Sequence, residues 1–559
     1  MMTKTRKMTK TRNLNTRKQL SGLRAVQAVL MLGLLLGMAG EAGAQAVYVP
    51  PAQPAPTLGS IPGLQTALNA KAPFNPIGVL VAPLVGTNTT ANFAGHMGAA
   101  GDTMANCQSV HILCYDTTAF KLTWENNQTH PITLTAAIWT PGGTIHPTTP
   151  LQVTWNGGQT SVTIPAANGA QPSFVSSDWI AFAPNATFQA YSYSTKVGSD
   201  SGAQNLTQTK TSVLNYTGVN GTGFMPANTP FYVREFVTGT AGSLPGGLLP
   251  TYGVDNGSSH STAEVDETMM TAAQTAALTP AYTSGAVTGG WGPGNTWPDS
   301  NPGNGNTSLI YCPSAIQGQV APGQTTYSLA VYGDSISNGT GDTWSSAIAT
   351  GPPNNYPSSI SGGGAIVRAC EQTGIPIMQA GIYGAGFGNT DGIFYPLATG
   401  CTHVIMEMGI NYIRAVTDGT NNANVAANTT LCINAIVTTM KTLKRRNPTV
   451  KFILWTYPPA TDGTGKVPGA SNNTRVAIND YIRANYAAMG AVDYVDAANT
   501  VEATPAAQGT LTQDGGAWYT GGNGGTALTT VDGTHPNSYG HGFIAAAIIA
   551  KINAGMLAK

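Results

Sequence analysis

Residues 328–339 read SLAVYGDSISNG, an apolar run that ends in a polar turn bounded by glycines. Four further apolar runs follow along the chain: PIMQAGIYG at 376–384, HVIMEMG at 403–409, KFILWTYPP at 451–459 and AVDYVDAAN at 491–499. Segments with helical periodicity lie between or after them, most clearly at 422–446, 473–489 and 537–556. Short apolar runs that alternate with helices are typical of strands buried on both faces. The sequence therefore predicts an α/β domain with a doubly wound sheet of five parallel strands.

Polar residues stand directly after three of these strands and before the last helix. In order they read GDSISNG at 333–339, AGIYGAG at 380–386, GINY at 409–412 and DGTHPN at 532–537. Sheets of this kind bind their ligands at the carboxyl ends of the strands. These four segments are therefore the candidate functional residues.

Ser335, Asp532 and His535 have the residue types of a nucleophilic catalyst. A serine hydroxyl attacks well only when a base takes its proton, and the base must be oriented by a third group. Asp532 and His535 lie three residues apart in one segment, so the carboxylate can hold imidazole Nδ1–H while Nε2 faces the serine. We predict that Ser335 is the nucleophile, His535 the base and Asp532 the orienting acid.

The order, spacing and residue types of the four segments resemble the four sequence blocks of the SGNH/GDSL hydrolases, over about residues 310–557. The resemblance implies a flavodoxin-like catalytic domain at 311–559 and hydrolysis of carboxylic esters. It also implies an oxyanion hole made by the backbone N–H of Ser335, the N–H of Gly384 and the side-chain amide of Asn411. The third block usually ends in Asp, where this chain has Tyr412. The G-x-S-x-G elbow of the α/β-hydrolases does not occur in the chain.

Several residues near these segments have alternative interpretations. Ser335 could instead cap a helix that follows it, and Ser337 is a competing hydroxyl. Asp334 is expected to hydrogen-bond within its loop, and His541 is expected to lie on a helix face.

Two ionisable side chains in a strand and three aromatic side chains also need an interpretation. His403 and Glu407 lie within a strand and suggest no special role. The side chains expected to line the substrate site are Tyr412, Trp518 and Tyr519.

The region before the catalytic domain has a different pattern. Residues 45–85 are rich in Pro and Ala and predict a linker, and the accessory domain is expected at 86–310. Within it, residues from about 86 to 250 alternate apolar and polar positions between Gly, Asn and Pro turns, and residues 283–307 are rich in Gly, Asn and Pro without periodicity. Period-two alternation with turns at this spacing predicts a β-sandwich or jelly roll with a Gly/Asn-rich loop. Its tryptophans either stack on sugar rings or form the core: Trp124, Trp139, Trp155 and Trp179.

Residues 1–44 predict a secretory signal peptide. They contain eight of the 25 Lys and Arg residues, then an apolar run of 16 residues and an A-x-A site at 42–44. A membrane anchor is the alternative, but the run is short for a span, which needs about 20 residues. Removal of residues 1–44 leaves 17 basic and 24 acidic residues, a net charge near −7. That charge argues against nucleic-acid binding and, after cleavage, against a membrane surface.

Six cysteines in a chain predicted to be secreted or periplasmic permit disulfides, with fifteen connectivities if all pair. Six residues separate Cys107 from Cys114, and we predict that these two form a disulfide across a short loop. One arrangement of the other four pairs Cys312 with Cys370 and Cys401 with Cys432. No C-x-x-C or Cys/His cluster indicates a metal, so no cofactor is predicted.

The leading hypothesis from the sequence is an exported serine esterase that removes short acyl groups, such as acetyl, from carbohydrate. A lipase or lysophospholipase and a periplasmic O-acetyltransferase are alternatives that use the same catalytic residues. From another class, the chain could be a non-catalytic carbohydrate-binding or adhesion protein. The sequence leaves open the acyl group, the alcohol and the oligomeric state.

Overall fold

The five predicted strands form the parallel core of a sheet in the computed structural model of this chain. The structure describes residues 84–85, 89–90, 95–97, 102–139, 151–168, 172–181, 187–197, 206–217, 225–227, 230–240, 244–246, 266–271, 311–342, 364–382, 384–387, 400–416, 424–520 and 528–559. All of them belong to one compact unit, residues 75–559. The predicted signal peptide, the predicted linker except its last two residues, and the cleavage site lie outside the described residues.

In chain order the strands of the described part are β1 (Thr89–Thr90), β2 (Gly95–Met97), β3 (Asp102–Ile112), β4 (Thr117–Asn126), β5 (Ile132–Trp139), β6 (Leu151–Gln152), β7 (Val162–Ile164), β8 (Ser173–Ser176), β9 (Ile180–Ala181), β10 (Thr187–Val197), β11 (Leu206–Thr217), β12 (Pro230–Thr238), β13 (Leu244–Gly246), β14 (Asp266–Thr271), β15 (Ala315–Val320), β16 (Leu329–Gly333), β17 (Ile377–Gly381), β18 (His403–Met406), β19 (Lys451–Trp455), β20 (Asp493–Val495), β21 (Glu502–Thr504), β22 (Ala507–Leu511) and β23 (Ala517–Trp518). The helices are α1 (Gly364–Thr373), α2 (Ile410–Val416), α3 (Val425–Arg446), α4 (Asn472–Asn485), α5 (Ala497–Val501) and α6 (Ser538–Asn553).

The main sheet has the order β1-β17-β16-β18-β19-β20, and all its neighbours run parallel. The five predicted strands thus lie in the order second, first, third, fourth, fifth, which is the flavodoxin-like order. In register, Leu329 of β16 stands between Ile377 and His403. The prediction of a doubly wound parallel sheet is confirmed.

One strand of this sheet was not predicted. Thr89–Thr90 pairs in parallel with Met378 and Gln379 at the edge of the sheet, so the sheet has six strands rather than five. Two consecutive threonines are too few to show a periodic pattern. Thr89 and Thr90 form a strand only because they pair with β17, almost 290 positions further along the chain.

The helices cover both faces of the sheet. α1 packs against α6, and α3 packs against α4. α1 connects β16 to β17, which lies on one side of it in the sheet, and α3 connects β18 to β19, which lies on the opposite side. Because such crossovers are right-handed, connections that run in opposite directions across the sheet place their helices on opposite faces. α3 buries a stripe at helical spacing that includes Cys432, Ile436 and Leu443. The predicted helices 422–446, 473–489 and 537–556 are confirmed as α3, α4 and α6 with slightly narrower bounds.

Two larger antiparallel sheets and two two-stranded ones, β10-β11 and β13-β2, accompany the α/β part in the described residues. The two larger sheets have the following strand orders. One has the order β14-β3-β12-β5-β6, with β7 also on β5, and the other has the order β15-β4-β8, with β9 on β4. They face each other, because the ring of Phe120 on β4 lies 5.0 Å from that of Phe231 on β12. Trp124 Nε1 of β4 also donates to Glu235 Oε1 of β12 at 3.3 Å. These contacts form the interior of a β-sandwich.

The tryptophans of the sandwich divide between core and surface. Trp124 and Trp155 are fully buried with ring centroids 5.7 Å apart, so both belong to the core. Trp179 is 42% exposed, with Lys121 Nζ 5.3 Å from its ring centroid. The side chain of Trp139 lies outside the described part.

The predicted disulfides are wrong. Cys114, Cys312, Cys370, Cys401 and Cys432 are all thiols in the structure. Cys107 does not lie in a short loop but within β3, paired with Glu235 of β12. An extended strand rises about 3.3 Å per residue, so the remainder of β3 alone carries the chain about 17 Å from Cys107. The Cα atoms of a disulfide lie within about 7 Å.

Cys401 and Cys432, also offered as a pair, each lie in the apolar core of the α/β part. Burial raises the pKa of the Cys432 thiol to about 12 and raises that of Cys401 as well.

No helix within the described ranges is long and apolar enough to span a membrane.

Candidate active site

Ser335 lies in a tight turn at the carboxyl end of β16, in the middle of the main sheet. The turn closes through hydrogen bonds from the Asn338 N–H to the Asp334 carbonyl and from the Thr340 N–H to the Ser335 carbonyl, both 3.0 Å. No helix begins here, since α1 starts at Gly364, so the alternative that Ser335 caps a helix is excluded. We call residues 334–342 the nucleophile turn. Ser335 is 3% exposed.

His535 and Asp532 meet Ser335 from the loop before α6. The Ser335 hydroxyl oxygen lies 2.8 Å from His535 Nε2, and His535 Nδ1 lies 2.6 Å from Asp532 Oδ2. A carboxylate only accepts, so Nδ1 carries the proton and Nε2 of the neutral ring is left to accept from the serine hydroxyl. The hydroxyl, imidazole and carboxylate are thus connected in the order that removal of the hydroxyl proton would require.

Asp532 is held as an anion. Burial raises its pKa, but this is outweighed by the hydrogen bonds that it accepts, and the pKa falls to about 2. The donors are the His535 ring at 2.6 Å and, on Oδ1, the backbone N–H groups of His535 at 2.8 Å and Thr534 at 2.9 Å. One carboxylate therefore fixes both the ring and the backbone of the loop.

The loop that carries Asp532 and His535 is fastened at Gly533. Its carbonyl accepts from Thr461 N at 2.8 Å, Thr461 Oγ1 at 2.9 Å and Trp518 Nε1 at 2.9 Å. Gly533 has φ +83°, and a Cβ there would collide with the Asp462 carbonyl. Glycine is therefore required by both conformation and space. After the loop, Asn537 caps α6 by accepting from the N–H groups of Tyr539 and Gly540.

The predicted oxyanion donors lie at the ends of the neighbouring strands. Gly384 follows β17 and Asn411 follows β18, and both strands pair with β16. Asn411 Nδ2 donates to the Ala385 carbonyl at 3.1 Å, which leaves its second amide hydrogen for another acceptor. Gly384 has φ +72° and open space where a Cβ would stand. Among the residues that the structure describes, none accepts a hydrogen bond from the N–H of Ser335 or Gly384.

The three side chains expected to line the substrate site differ in their placement. Tyr412 is half-buried, and its ring meets that of Phe387 edge to face at 5.5 Å. Trp518 is fully buried and donates to the Gly533 carbonyl, so it supports the loop that carries Asp532 and His535, and its contact with substrate stays a prediction. Tyr519 is half-buried, with its ring 5.8 Å from that of Phe543 on α6.

Sequence reasoning missed a buried acid pair under the nucleophile turn. Glu407 is fully buried at the end of β18, and its Oε2 accepts from the Asp334 N–H at 2.9 Å. Burial and the neighbouring Asp334 carboxyl raise the pKa of Glu407 well above its usual value. Burial also raises the pKa of Asp334, to about 6, although it accepts from the N–H of Ile336. The signal in the sequence was one acidic residue inside an apolar strand run, HVIMEMG.

His541 lies within α6, as expected. The sequence did not show that it is fully buried and hydrogen-bonded to the nucleophile turn. Within the described ranges, no three His, Cys, Asp or Glu side chains are grouped to hold a metal ion.

No family model and no curated protein matches the chain. Solved structures that it resembles include phospholipase A1 from Streptomyces albidoflavus (15% identity, 41% of this chain and 100% of that chain, TM-score 0.29). A carbohydrate esterase family 2 enzyme with a carbohydrate-binding domain from Corynascus thermopiles matches at 13% identity over 80% of this chain and 95% of that chain, with a TM-score of 0.30. A GDSL-like lipase from Parabacteroides merdae matches at 15% identity over 42% of this chain and 97% of that chain, with a TM-score of 0.27.

Proposed function

We propose that the chain is a serine esterase of the SGNH/GDSL type, with Ser335 as nucleophile, His535 as base and Asp532 as the residue that orients the base. The observation that carries the proposal is the connected arrangement of the three side chains, with 2.8 Å from Ser335 Oγ to His535 Nε2 and 2.6 Å from His535 Nδ1 to Asp532 Oδ2. A chain of contacts in this order activates a hydroxyl for acyl transfer.

In the proposed first step, Ser335 Oγ attacks the ester carbonyl carbon while His535 Nε2 takes the hydroxyl proton. The tetrahedral intermediate collapses when Nε2–H gives that proton to the leaving alcohol oxygen, which leaves an acyl-serine. Water then attacks the acyl carbon, again through Nε2, and the carboxylic acid leaves with Ser335 regenerated. Asp532 remains an anion throughout and stabilises the imidazolium that forms in each step.

The oxyanion of each intermediate is stabilised by the N–H groups of Ser335 and Gly384 and by the Asn411 side-chain amide. Two observations support these donors: the open space at Gly384 and the second amide hydrogen of Asn411. Removal of one such donor typically costs roughly 3–4 kcal/mol of transition-state stabilisation.

The proposed substrates are short acyl esters, acetyl above all, carried on carbohydrate. The edge-to-face pair of Tyr412 and Phe387 stands next to Asn411, which supports limited room for an alkyl chain on that side. The charge of the chain without residues 1–44, near −7, supports a hydrated polymer rather than an anionic membrane as the partner. Export through a signal peptide at 1–44 belongs to the same proposal.

The decisive experiment compares serine variants on a panel of chromogenic esters from acetyl to palmitoyl. Ser335→Ala should abolish turnover with the circular dichroism spectrum unchanged. Ser337→Ala should keep most of it, because the Ser337 hydroxyl donates to the Asp334 carbonyl at 3.0 Å. Substantial turnover by Ser335→Ala would refute the assignment of the nucleophile.

The same panel tests the substrate class. Activity should be highest from acetyl to butyryl esters and fall beyond about eight carbons, and acetate should be released from an acetylated polysaccharide. In a lipase, each further buried methylene would instead add about 0.8 kcal/mol of binding. Activity that rises through palmitoyl esters, without acetate release from any glycan, would move the proposal to a lipase.

A further inference from the structure

A second imidazole is buried next to the proposed active site, on α6. His541 follows His535 by six positions and is fully buried. Its Nδ1 accepts from the Ala365 N–H of α1 at 3.2 Å, and its Nε2 lies 3.2 Å from the Thr340 carbonyl oxygen. A backbone N–H only donates and a carbonyl only accepts, so both bonds form only when the ring is neutral and carries its proton on Nε2.

Thr340 belongs to the nucleophile turn. Its N–H donates to the carbonyl of Ser335 at 3.0 Å, while its own carbonyl accepts from His541. Two hydrogen bonds therefore connect the His541 ring to the backbone of the proposed nucleophile. His541 and Thr340 are 201 positions apart in the chain.

A buried ion pair joins the same three elements. Arg368 of α1 binds both carboxylate oxygens of Asp342, the last residue of the nucleophile turn, and donates to Ser538 Oγ at the start of α6 at 2.9 Å. Asp342 Oδ2 also accepts from the Gly364 N–H at 3.1 Å. We call Thr340, Asp342, Arg368 and His541 the anchor cluster.

The nucleophile turn also touches residues 532–537, the loop that carries Asp532 and His535, which we call the base loop. A Cβ on Gly341 would collide with the carbonyl oxygen of Pro536, the residue after His535. The two backbones therefore meet without any side chain between them. A displacement of the turn relative to α6 changes the distance from Ser335 Oγ to His535 Nε2, since one atom moves with the turn and the other with the loop before the helix.

We propose that His541 is a positioning residue for the Ser335–His535 pair, and that the anchor cluster holds the two side chains at hydrogen-bonding distance only while the His541 ring is neutral. The inference rests on the proposed esterase function and extends it to a residue that touches neither substrate nor Ser335. The physical basis of the inference is that the Ala365 N–H can only donate to the His541 ring and the Thr340 carbonyl can only accept from it.

The charged groups that face His541 come from the nucleophile turn, α1 and the base loop. Burial lowers the pKa of His541 to about 4; Asp342 and the Thr340 carbonyl oppose this shift, whereas Arg368 and His535 add to it. Protonation would place a hydrogen on Nδ1 opposite the Ala365 N–H, so two donors would face each other across 3.2 Å. The ring can then keep its contact with Thr340 only by moving away from Ala365.

The experiment compares His541→Ala and His541→Gln with a matched control, His403→Ala. His403 is also a buried imidazole, 1% exposed, whose pKa burial lowers to about 4, but it lies at the amino end of β18. For each protein, kcat and KM for an acetyl ester and the rate of Ser335 labelling by a fluorophosphonate are measured, with thermal unfolding as the measure of stability.

His541→Ala should lower kcat and the labelling rate roughly 10- to 100-fold with little change in KM, because a misplacement of about 1 Å costs on the order of 100-fold. His541→Gln, whose amide nitrogen can still donate to Thr340, should recover much of that loss. His403→Ala should lose stability and keep its kcat. Equal kcat in His541→Ala and the wild type, or an equal loss in His403→Ala, would overturn the inference.

The dependence of kcat on pH below neutrality tests the same role without an alanine variant. Protonation of a single catalytic base makes log kcat fall with a slope of one, and protonation of His541 near pH 4 should steepen the slope of the wild type to two. His541→Gln should keep a slope of one over the same range. An identical slope in both proteins would overturn the positioning role, whereas a wild type that turns over no ester would refute the proposed function instead.

Discussion

The side chain of Asn411 holds the turn that follows β17, because its Nδ2 donates to the carbonyl oxygen of Ala385 at 3.1 Å. Asn411 comes from the end of β18 and Ala385 from the end of β17, on either side of β16. One amide hydrogen thus fixes the Gly384 turn, and the other remains for the proposed oxyanion. The residue joins two proposed donors into one rigid unit.

Asn411→Ala should therefore lower kcat by roughly 100- to 1,000-fold with a small change in KM, since an oxyanion donor acts mainly in the transition state. Steady-state kinetics on an acetyl ester measure both constants. The matched control is Asn424→Ala, an exposed asparagine before α3 whose side chain makes no capping bond. A kcat within a few-fold of the wild type would remove Asn411 from the proposed oxyanion hole.

Tyr412 occupies the position where the resembling family has Asp, and its ring packs edge to face on Phe387 at 5.5 Å. Tyr412→Ala should open space beside Asn411 and shift the chain-length preference toward longer acyl groups. Each additional methylene that becomes buried is worth about 0.8 kcal/mol, or roughly fourfold in kcat/KM. Tyr412→Phe keeps the ring and should keep the wild-type preference. An unchanged acetyl-to-octanoyl ratio in Tyr412→Ala would show that the ring does not bound the acyl site.

Trp518 should act on the base loop rather than on the substrate. Trp518→Phe removes the donor to the Gly533 carbonyl, which still accepts two bonds from Thr461. The carbonyl is not left without a partner, so the cost in the free energy of unfolding should be about 1 kcal/mol. Denaturant unfolding measures that cost, and the ester panel should show a lower kcat with the same chain-length profile. A changed profile would return Trp518 to the substrate site.

The parallel sheet and the Ser335, Asp532 and His535 contacts could be anticipated because their signals are local. Each strand of the main sheet except Thr89–Thr90 is an apolar run, and Asp532 and His535 are three residues apart. The flavodoxin-like order of the strands was implied by the resemblance of the four segments to a known family, because a pattern of strands and helices does not determine which strands are neighbours.

The contacts that the sequence did not show share a different property, since they join residues far apart in the chain. His541 bonds to Thr340, 201 positions earlier, and Glu407 bonds to Asp334, 73 positions earlier. Cys107 was placed in a loop because the length of β3 depends on its pairing with β12 and β14. Local periodicity carries no information on such pairings, so a buried polar residue looks the same as an exposed one.

The pH dependence of stability should differ in sign between two buried groups of the main sheet. Burial, with the Lys451 charge adding to it, lowers the pKa of His403 from 6.5 to about 4. As pH falls below 6.5 the unfolded chain takes up this proton first, so the folded state loses stability down to about pH 4. The slope for one such group is at most about 1.4 kcal/mol per pH unit. His403→Gln lacks this term, so the stability that the wild type has over the variant should shrink as pH falls from 6.5 to 4.

Glu407 should show the opposite sign. Burial and Asp334 raise its pKa well above 4.5, so as pH rises above 4.5 the unfolded chain ionises first and the folded state loses stability. Glu407→Gln keeps a carbonyl oxygen for the Asp334 N–H and cannot ionise, so its stability relative to the wild type should grow as pH rises from 4.5 to neutrality. Urea unfolding of the wild type and both variants at several pH values measures the two trends. Parallel pH dependence in all three proteins would mean that neither side chain changes its proton affinity on folding.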